Sequence, residues 1–195
     1  MNRKNLIDEI NYDLENKFGL DDQQFRLTGI SVIYNNLLQS LFGSQITSLV
    51  FVFGAIFLML LFLFKSLLTS LIVLFIPLVA VGFVFSFMSI FSIPLDIMTI
   101  TIASISVGMS VDYAIHIAWR FREEQKISKR DAEINTIHTS GQAVLITAMT
   151  VIIGFLVFVF SNFNPTVLFG LLSALAIFIS AALALRLIPI FLESK

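Results

Sequence analysis

The sequence contains no cysteine, little charge and no excess of positive residues. The absence of cysteine excludes disulfide bonds, thiolate metal ligands and a cysteine nucleophile. The chain has 12 Lys and Arg against 13 Asp and Glu, which gives a net charge of -1. It therefore has no excess of positive charge to neutralise the phosphates of a nucleic acid. We therefore predict no nucleic-acid partner, and nothing in the composition calls for a cofactor, so we predict none.

The sequence also lacks the patterns of hydrolytic enzymes. It has two histidines, His116 and His138, and no HExxH, GxSxG or paired-aspartate motif. A hydrolase needs a nucleophile and a base that converge on the substrate, or metal ligands at suitable spacing. We therefore predict that the chain is not an enzyme.

Apolar residues make up most of the chain. Hydrophobic residues account for 57% of it, with 21 Phe, and the mean hydropathy is +0.95, which is typical of a membrane protein. Crossing the hydrocarbon core takes about 20 apolar residues. The charge-free stretches predict an all-α membrane protein whose domain at 46–192 is a bundle of five transmembrane helices, at about 46–65, 68–91, 97–120, 139–160 and 166–190.

Basic residues are confined to one set of the junctions between spans. Lys65, Arg186 and the segment 120–130, which holds five Lys and Arg, belong to that set, whereas the junctions at 92–95 and 161–166 have none. Positive residues favour the cytoplasmic side of a membrane. We therefore predict a multi-pass protein of the cytoplasmic (inner) membrane, with its N-terminus outside and its C-terminus inside.

Two segments outside the spans have amphipathic patterns. Residues 1–45 predict a helix from Leu6 to Phe18, a short strand at 23–27, a break at Gly29 and a helix that leads into the first span. They are too few to bury a core, so we interpret them as an extracytoplasmic tail, the remnant of a larger porter domain. Residues 121–137 predict an amphipathic connector that either lies at the cytoplasmic interface or is solvated.

One carboxylate interrupts the third predicted span. The stretch GMSVDYAIH, residues 108–116, places Asp112 deep in the apolar region. A carboxylate at the centre of a membrane helix costs roughly 2.5 to 3.5 kcal/mol, which favours a proton-titrating site over a purely structural hydrogen-bonding role. Gly108 and His116 lie four residues to either side, so the three share one helix face.

Further polar residues are candidates for the same site. Gly108 allows another helix to approach closely beside the acid, and His116 can pair with Asp112 or pass protons onward. Tyr113 offers a hydroxyl in a different direction. Hydroxyls of the third span are expected either to bond back to their own helix or to line a wetted proton path. The candidate relay neighbours are Ser110, Thr147 and Thr150.

The same residues carry a family resemblance. GMSVDYAIH followed by RFREE resembles the fourth-helix signature of the RND superfamily, in its MMPL-type and hydrophobe-exporter branch. The run from SGQAVLITAMT at 140–150 to LRLIPIF at 185–191 is similar to the next two helices of that family, and RLTG at 26–29 resembles its last porter strand. The resemblance covers residues 25–192.

What the resemblance implies is proton-driven export of hydrophobic or lipid-like substrates. The residue matching the proton carrier is Asp112, Tyr113 matches its partner, and Gly108 and His116 match the flanking motif positions. RND transporters have two halves, each with a porter domain, and this sequence holds the last five helices of one half. We therefore expect a fragment or a split-gene product that works with a second transporter half or as a homo-oligomer, in contact with membrane lipids and substrate.

Two other functions stay open on the sequence alone. The sterol-sensing domain is a five-helix unit related to the same superfamily, which makes a lipid-binding, regulatory module one alternative. A Sec accessory translocase-like subunit is the other, because such subunits share a Gly-rich Asp motif in the corresponding helix. Tyr113 and His116 favour the exporter branch over that subunit.

Overall fold

Helices form all the regular structure in the part of the chain that the computed structural model describes, residues 9–10, 12–14, 16–17, 29–93 and 96–193. A π-helical turn, Ile137–Gly141, and a 3-10 turn, Val157–Phe160, precede and follow one of them. The α-helices are α1 (Ile30–Phe64), α2 (Leu67–Ile90), α3 (Ile97–Ile127), α4 (Ala132–Thr136), α5 (Gln142–Leu156) and α6 (Asn164–Glu193).

Among the described residues, five helical stretches are long and apolar enough to cross a membrane. The fourth is a composite, in which α4, the π-helical turn, α5 and the 3-10 turn follow one another without a break. The prediction of an all-α chain with five such helices is therefore confirmed. The stretches are Val32–Phe64, Leu67–Ile90, Thr101–Ile127, Ala132–Phe160 and Asn164–Leu192.

Gly29 breaks the chain ahead of the first span. Its φ of +135° lies in a region that residues with a Cβ rarely adopt, and its carbonyl accepts a hydrogen bond from Ile33 N at 3.0 Å. The lead-in helix predicted after Gly29 continues into the span, so α1 is a single helix of 35 residues. The described residues of the predicted helix at 6–18 are helical, whereas the predicted strand at 23–27 lies outside the described residues.

A capping box fixes the start of α3. The Asp96 carboxylate accepts a hydrogen bond from Thr99 N at 2.7 Å, and Thr99 Oγ1 accepts one from Asp96 N at 2.8 Å. Together they satisfy two donors that the first turn of a helix leaves open. Because each residue advances the helix by about 100°, this start sets the face on which Asp112 emerges sixteen residues later.

The chain divides into two compact units, residues 1–47 and 48–195, and α3 and α6 form the centre of the second. In the apolar parts of the spans, 56% of the third and 50% of the fifth are buried, against 11% of the fourth. From Ser48 onward, α1 buries only Leu60 and Phe64 among its residues. The fourth span and α1 therefore leave most of their surface for lipid or another protein to cover.

Small residues hold α3 and α6 together. Ala114 and Ala118 of α3 are buried in the same cluster as Ala181 and Ala184 of α6. Side chains of this size allow helix backbones to approach closely, which favours association in lipid, where the hydrophobic effect between helices is absent. The α3–α6 contact therefore forms a scaffold from which the polar residues of α3 project.

The predicted connector at 121–137 is not a separate interfacial helix in the structure. Instead α3 continues to Ile127, a turn follows, and the fourth span begins at Ala132. Polar contacts explain the extension of α3 beyond the apolar region. Arg122 Nη1 donates to the carbonyl of Phe64 at 2.6 Å, and Gln125 Nε2 donates to that of Leu192 at 3.2 Å, so α3 satisfies carbonyls at the ends of α1 and α6.

Glu124 joins α3 to the start of the fourth span. Its side chain is 7% exposed and lies 2.6 Å from Arg120 Nη2, and its second oxygen accepts a hydrogen bond from Asn135 Nδ2 at 3.1 Å. Burial makes a carboxylate costly unless such partners satisfy it. Helical periodicity places Arg120 and Glu124 one turn apart, but it does not reveal the contact with Asn135, which follows a turn whose geometry the sequence leaves open.

We expect Glu124→Ala to lower the free energy of unfolding by about 1 to 3 kcal/mol, because it leaves Arg120 and Asn135 without their acceptor. The buried Nε of Arg120 already lacks a partner among the described residues. Glu123→Ala is the matched control, since that carboxylate is exposed and 3.9 Å from Arg120 Nη1. Unfolding of the chain in mixed micelles measures both variants, and equal losses would contradict the assignment.

Candidate functional site

A pocket of about 140 Å³ lies between α3 and the fourth span. This volume accommodates on the order of a few water molecules. One wall comes from α3, and the other from the π-helical turn and α5. The lining residues are Asp112, Tyr113 and His116 on α3 and Ser140, Ala143, Val144 and Thr147 on the fourth span.

Asp112 and His116 form a pair one helical turn apart. Asp112 Oδ1 lies 3.4 Å from His116 Nε2, and both side chains are 64% exposed, so the described helices of this chain do not enclose either of them. The contact is an ion pair when the imidazole is protonated. The pair therefore places a carboxyl group beside an imidazole, two side-chain types that take part in acid-base chemistry.

Tyr113 stands at the inner wall of the pocket. Its residue exposure is 3%, and it belongs to the apolar cluster that includes Ala114 and Ala181. Tyr113 thus borders both the polar pocket and the α3–α6 core.

The structure separates the three candidate relay neighbours. Thr147 lines the pocket together with Asp112. Thr150 is not among the lining residues, and its hydroxyl donates to the carbonyl of Ile146 at 2.8 Å. Ser110 is buried on the α6 side of α3, where its hydroxyl is hydrogen-bonded to that of Ser180. Of the three, Thr147 is the one brought to Asp112.

Among the described residues, no helix packs closely against Gly108, the position at which the sequence predicts a close helix approach. A Cβ built on Gly108 would meet nothing within 4 Å. Thr101, Gly108, Asp112 and His116 are all exposed, and we call them the Asp112 face. Both α2 and α6 pack on α3, yet these four residues remain exposed, so the described helices leave this face largely open.

Sequence reasoning missed three residues of the pocket, Ser140, Ala143 and Val144. Ser140 belongs to the π-helical turn, a type of irregularity that often occurs at functional sites. Gly141 follows it and packs against α6, where an added Cβ would lie 3.2 Å from Leu185 Cδ2. The sequence signal for this contact is the pair of small residues at 140–141, next to an otherwise bulky span.

Five apolar helical stretches among the described residues define a multi-pass membrane protein, and an Asp-His pair lies in a pocket between two of them. The sequence profile of the MMPL family matches residues 3–193, and the chain belongs to this family of membrane transporters. The resemblance to the MMPL-type branch of the RND superfamily is therefore confirmed.

One relative comes from Methanocaldococcus jannaschii and is named as a membrane protein, MJ1562. It is 33% identical over 114 residues, which cover 57% of this chain and 29% of the relative. The chain thus matches less than a third of the length of this relative. No solved structure matches the chain significantly.

Proposed function

We propose that this chain is the transmembrane half-unit of a proton-driven MMPL-type exporter of hydrophobic or lipid-like substrates. The observation that carries the proposal is the Asp112–His116 pair of the third span, which lines the pocket of about 140 Å³ between α3 and the fourth span. A carboxylate at this depth costs roughly 2.5 to 3.5 kcal/mol, and such residues typically mark ion or proton pathways. Membership of a transporter family makes transport the activity to which the pathway belongs.

Protonation of Asp112 changes what its side chain can contact. As a carboxylate it attracts the protonated imidazole of His116 across 3.4 Å and requires the polar pocket. As a neutral acid it loses that attraction and can pack against an apolar surface. The charged state therefore favours a polar environment at the Asp112 face, and the neutral state favours an apolar one. The difference in free energy between these two arrangements is what drives a helix movement when Asp112 gains or loses a proton. Tyr113 connects that movement to the core.

The direction of proton movement follows from the proposed orientation, with the basic end of the bundle in the cytoplasm. Asp112 lies eight residues before Arg120, or roughly 12 Å along the helix at a rise of 1.5 Å per residue. His116 lies between them on the same face. The path to the cytoplasm therefore runs from Asp112 by way of His116 and the water in the pocket.

The Asp112 face also supports a partner. Gly108, Asp112 and His116 are exposed in this chain, and lipid is a poor environment for a carboxylate. Gly108 offers a surface without a side chain, which suits a second helix at close range. We propose that a second transporter half, or a second copy of this chain, covers this face.

Two threonines on α5 provide a matched test of the pocket. Each hydroxyl donates to the carbonyl four residues earlier at 2.8 Å, but Thr147 lines the pocket and Thr150 does not. We expect Thr147→Leu to fill the pocket, displace its water and slow proton uptake about tenfold. Thr150→Leu should leave the rate unchanged. A pH-sensitive dye inside liposomes that hold the transporter measures both rates.

Equal rates in the two leucine variants would contradict the pocket as the proton path. The sterol-sensing-like alternative makes a different prediction for the same liposomes. In that case transport does not respond to collapse of the proton gradient, and lipid binding survives substitution of Asp112.

A further inference from the structure

A second pocket lies at the basic end of the bundle, apart from the Asp112 site. Its volume is about 230 Å³, and it lies between the end of α1 and the last turns of α3. Its lining combines basic, aromatic and apolar side chains. The lining residues are Leu63, Phe64, Lys65, Trp119, Arg122, Glu123 and Lys126.

Positive charge dominates this pocket. Lys65, Arg122 and Lys126 face a single carboxylate, that of Glu123. Within the described residues, neither Lys65 nor Lys126 forms an ion pair. Arg122 is held in place, since Nη1 donates to the carbonyl of Phe64 and its guanidinium carbon lies 5.7 Å from the centre of the Phe64 ring. The pocket therefore has cations with donor groups to spare.

Lys65 ends α1 in a left-handed conformation. Its φ is +47°, in the region where glycine is the usual residue at a helix end. The position lies between the end of α1 and Ser66, which caps α2. Because Lys65 lines the pocket, the turn between α1 and α2 contributes one of its three cations.

The other lining residues place the pocket at the level of lipid headgroups. Trp119 is 45% exposed and directly precedes Arg120, where the apolar part of the third span ends. Tryptophan favours the boundary between hydrocarbon and headgroups. Leu63 is 39% exposed on the apolar side of Lys65. A ligand for this pocket therefore needs a negative group at one end and a hydrocarbon part at the other.

We propose that the pocket binds the phosphate group of an anionic phospholipid from the leaflet at the basic end of the bundle. Lys65, Arg122 and Lys126 bind the phosphate, and the acyl chains lie along Leu63. Basic pockets between transmembrane helices at this depth suit such headgroups. The lipid also has a structural consequence, because it joins α1 to α3 where α1 buries little else than Leu60 and Phe64.

The single tryptophan of the chain reports on the pocket directly. The full chain is reconstituted in phosphatidylcholine vesicles that contain a small fraction of brominated phosphatidylglycerol or brominated phosphatidylcholine, whose acyl chains quench nearby tryptophan. We expect the phosphatidylglycerol to quench Trp119 at a much lower mole fraction than the phosphatidylcholine does. Equal quenching by the two lipids would overturn the proposal.

Charge-removing variants identify the residues that bind. Lys65→Asn with Lys126→Gln removes two cations, and asparagine tolerates the left-handed backbone. We expect about a thirtyfold weaker preference for phosphatidylglycerol, from about fivefold for each charge. Lys126→Gln alone, at about fivefold, covers the case in which the double variant does not fold.

The matched control is Lys129→Gln with Arg130→Gln, which removes the same charge from exposed residues outside the pocket. This control should retain the wild-type preference for phosphatidylglycerol. A loss of preference equal to that of the pocket variants would mean that the lipid is attracted to the basic end as a whole, and would overturn the pocket as its binding site. Inorganic phosphate at millimolar concentration should not relieve the quenching. Relief would identify a free anion as the ligand and would overturn the lipid assignment.

Discussion

Proton-coupled export is expected to stop in the Asp112→Asn variant and to fall to the level of vesicles without protein. Asparagine is close to aspartate in size, so it preserves the pocket and the packing of Tyr113 beside it. It cannot take up and release a proton, and it forms no ion pair with His116. Export driven by an imposed proton gradient in liposomes that hold the transporter measures the effect. Wild-type export from this variant would refute Asp112 as the proton carrier.

Asp96→Asn is the matched control for this substitution. Asp96 is also a carboxylate of the same helix, but it caps the first turn of α3 by accepting from Thr99 N. Asparagine caps helices about as well as aspartate, so the register of α3 should persist and export should continue. Asp112→Glu completes the set, because it retains an acid on a longer side chain, and we expect partial export from it.

The Gly170→Ala variant is expected to lose about 3 kcal/mol of unfolding free energy, at the upper end of the usual cost of overpacking. An added Cβ would lie 2.5 Å from the carbonyl oxygen of Phe155 and 2.7 Å from Phe158 Cβ. A backbone atom cannot rotate out of the way as a side chain can. The fourth span would have to move away from α6, which would weaken the contact of Phe169 with Phe155, whose ring centroids are 5.8 Å apart.

Gly108→Ala is the control for this prediction, since an added Cβ there would meet nothing within 4 Å. We expect its unfolding free energy in mixed micelles to equal the wild-type value or to exceed it by up to about 1 kcal/mol, because alanine favours a helix. Equal losses in the two glycine variants would contradict the close approach at Gly170. If a partner helix covers the Asp112 face, Gly108→Ala should instead weaken assembly with that partner.

The two glycines also show what sequence reasoning reaches and where it stops. Both lie in apolar spans, and only Gly108 lies beside an acid, which made it the predicted packing position. In the structure Gly170 has the close contact and Gly108 has none. Similarly, Thr147 and Thr150 were equal candidates to face Asp112, and Thr147 alone of these two lines the pocket. Helical periodicity gives the direction of a side chain but not the helix that lies there.

The sequence by itself predicted the number of apolar helices and the position of Asp112 within the third of them. Both follow from lengths along the chain, since the thickness of the bilayer sets how many apolar residues a helix needs. Tertiary structure alone decided which face of α3 is covered, that the π-helical turn brings Ser140 to the acid, and that α3 extends to Glu124 and beyond. The physical reason is that lipid-facing and helix-facing apolar residues have the same hydropathy, so only the packing of helices distant in sequence distinguishes them.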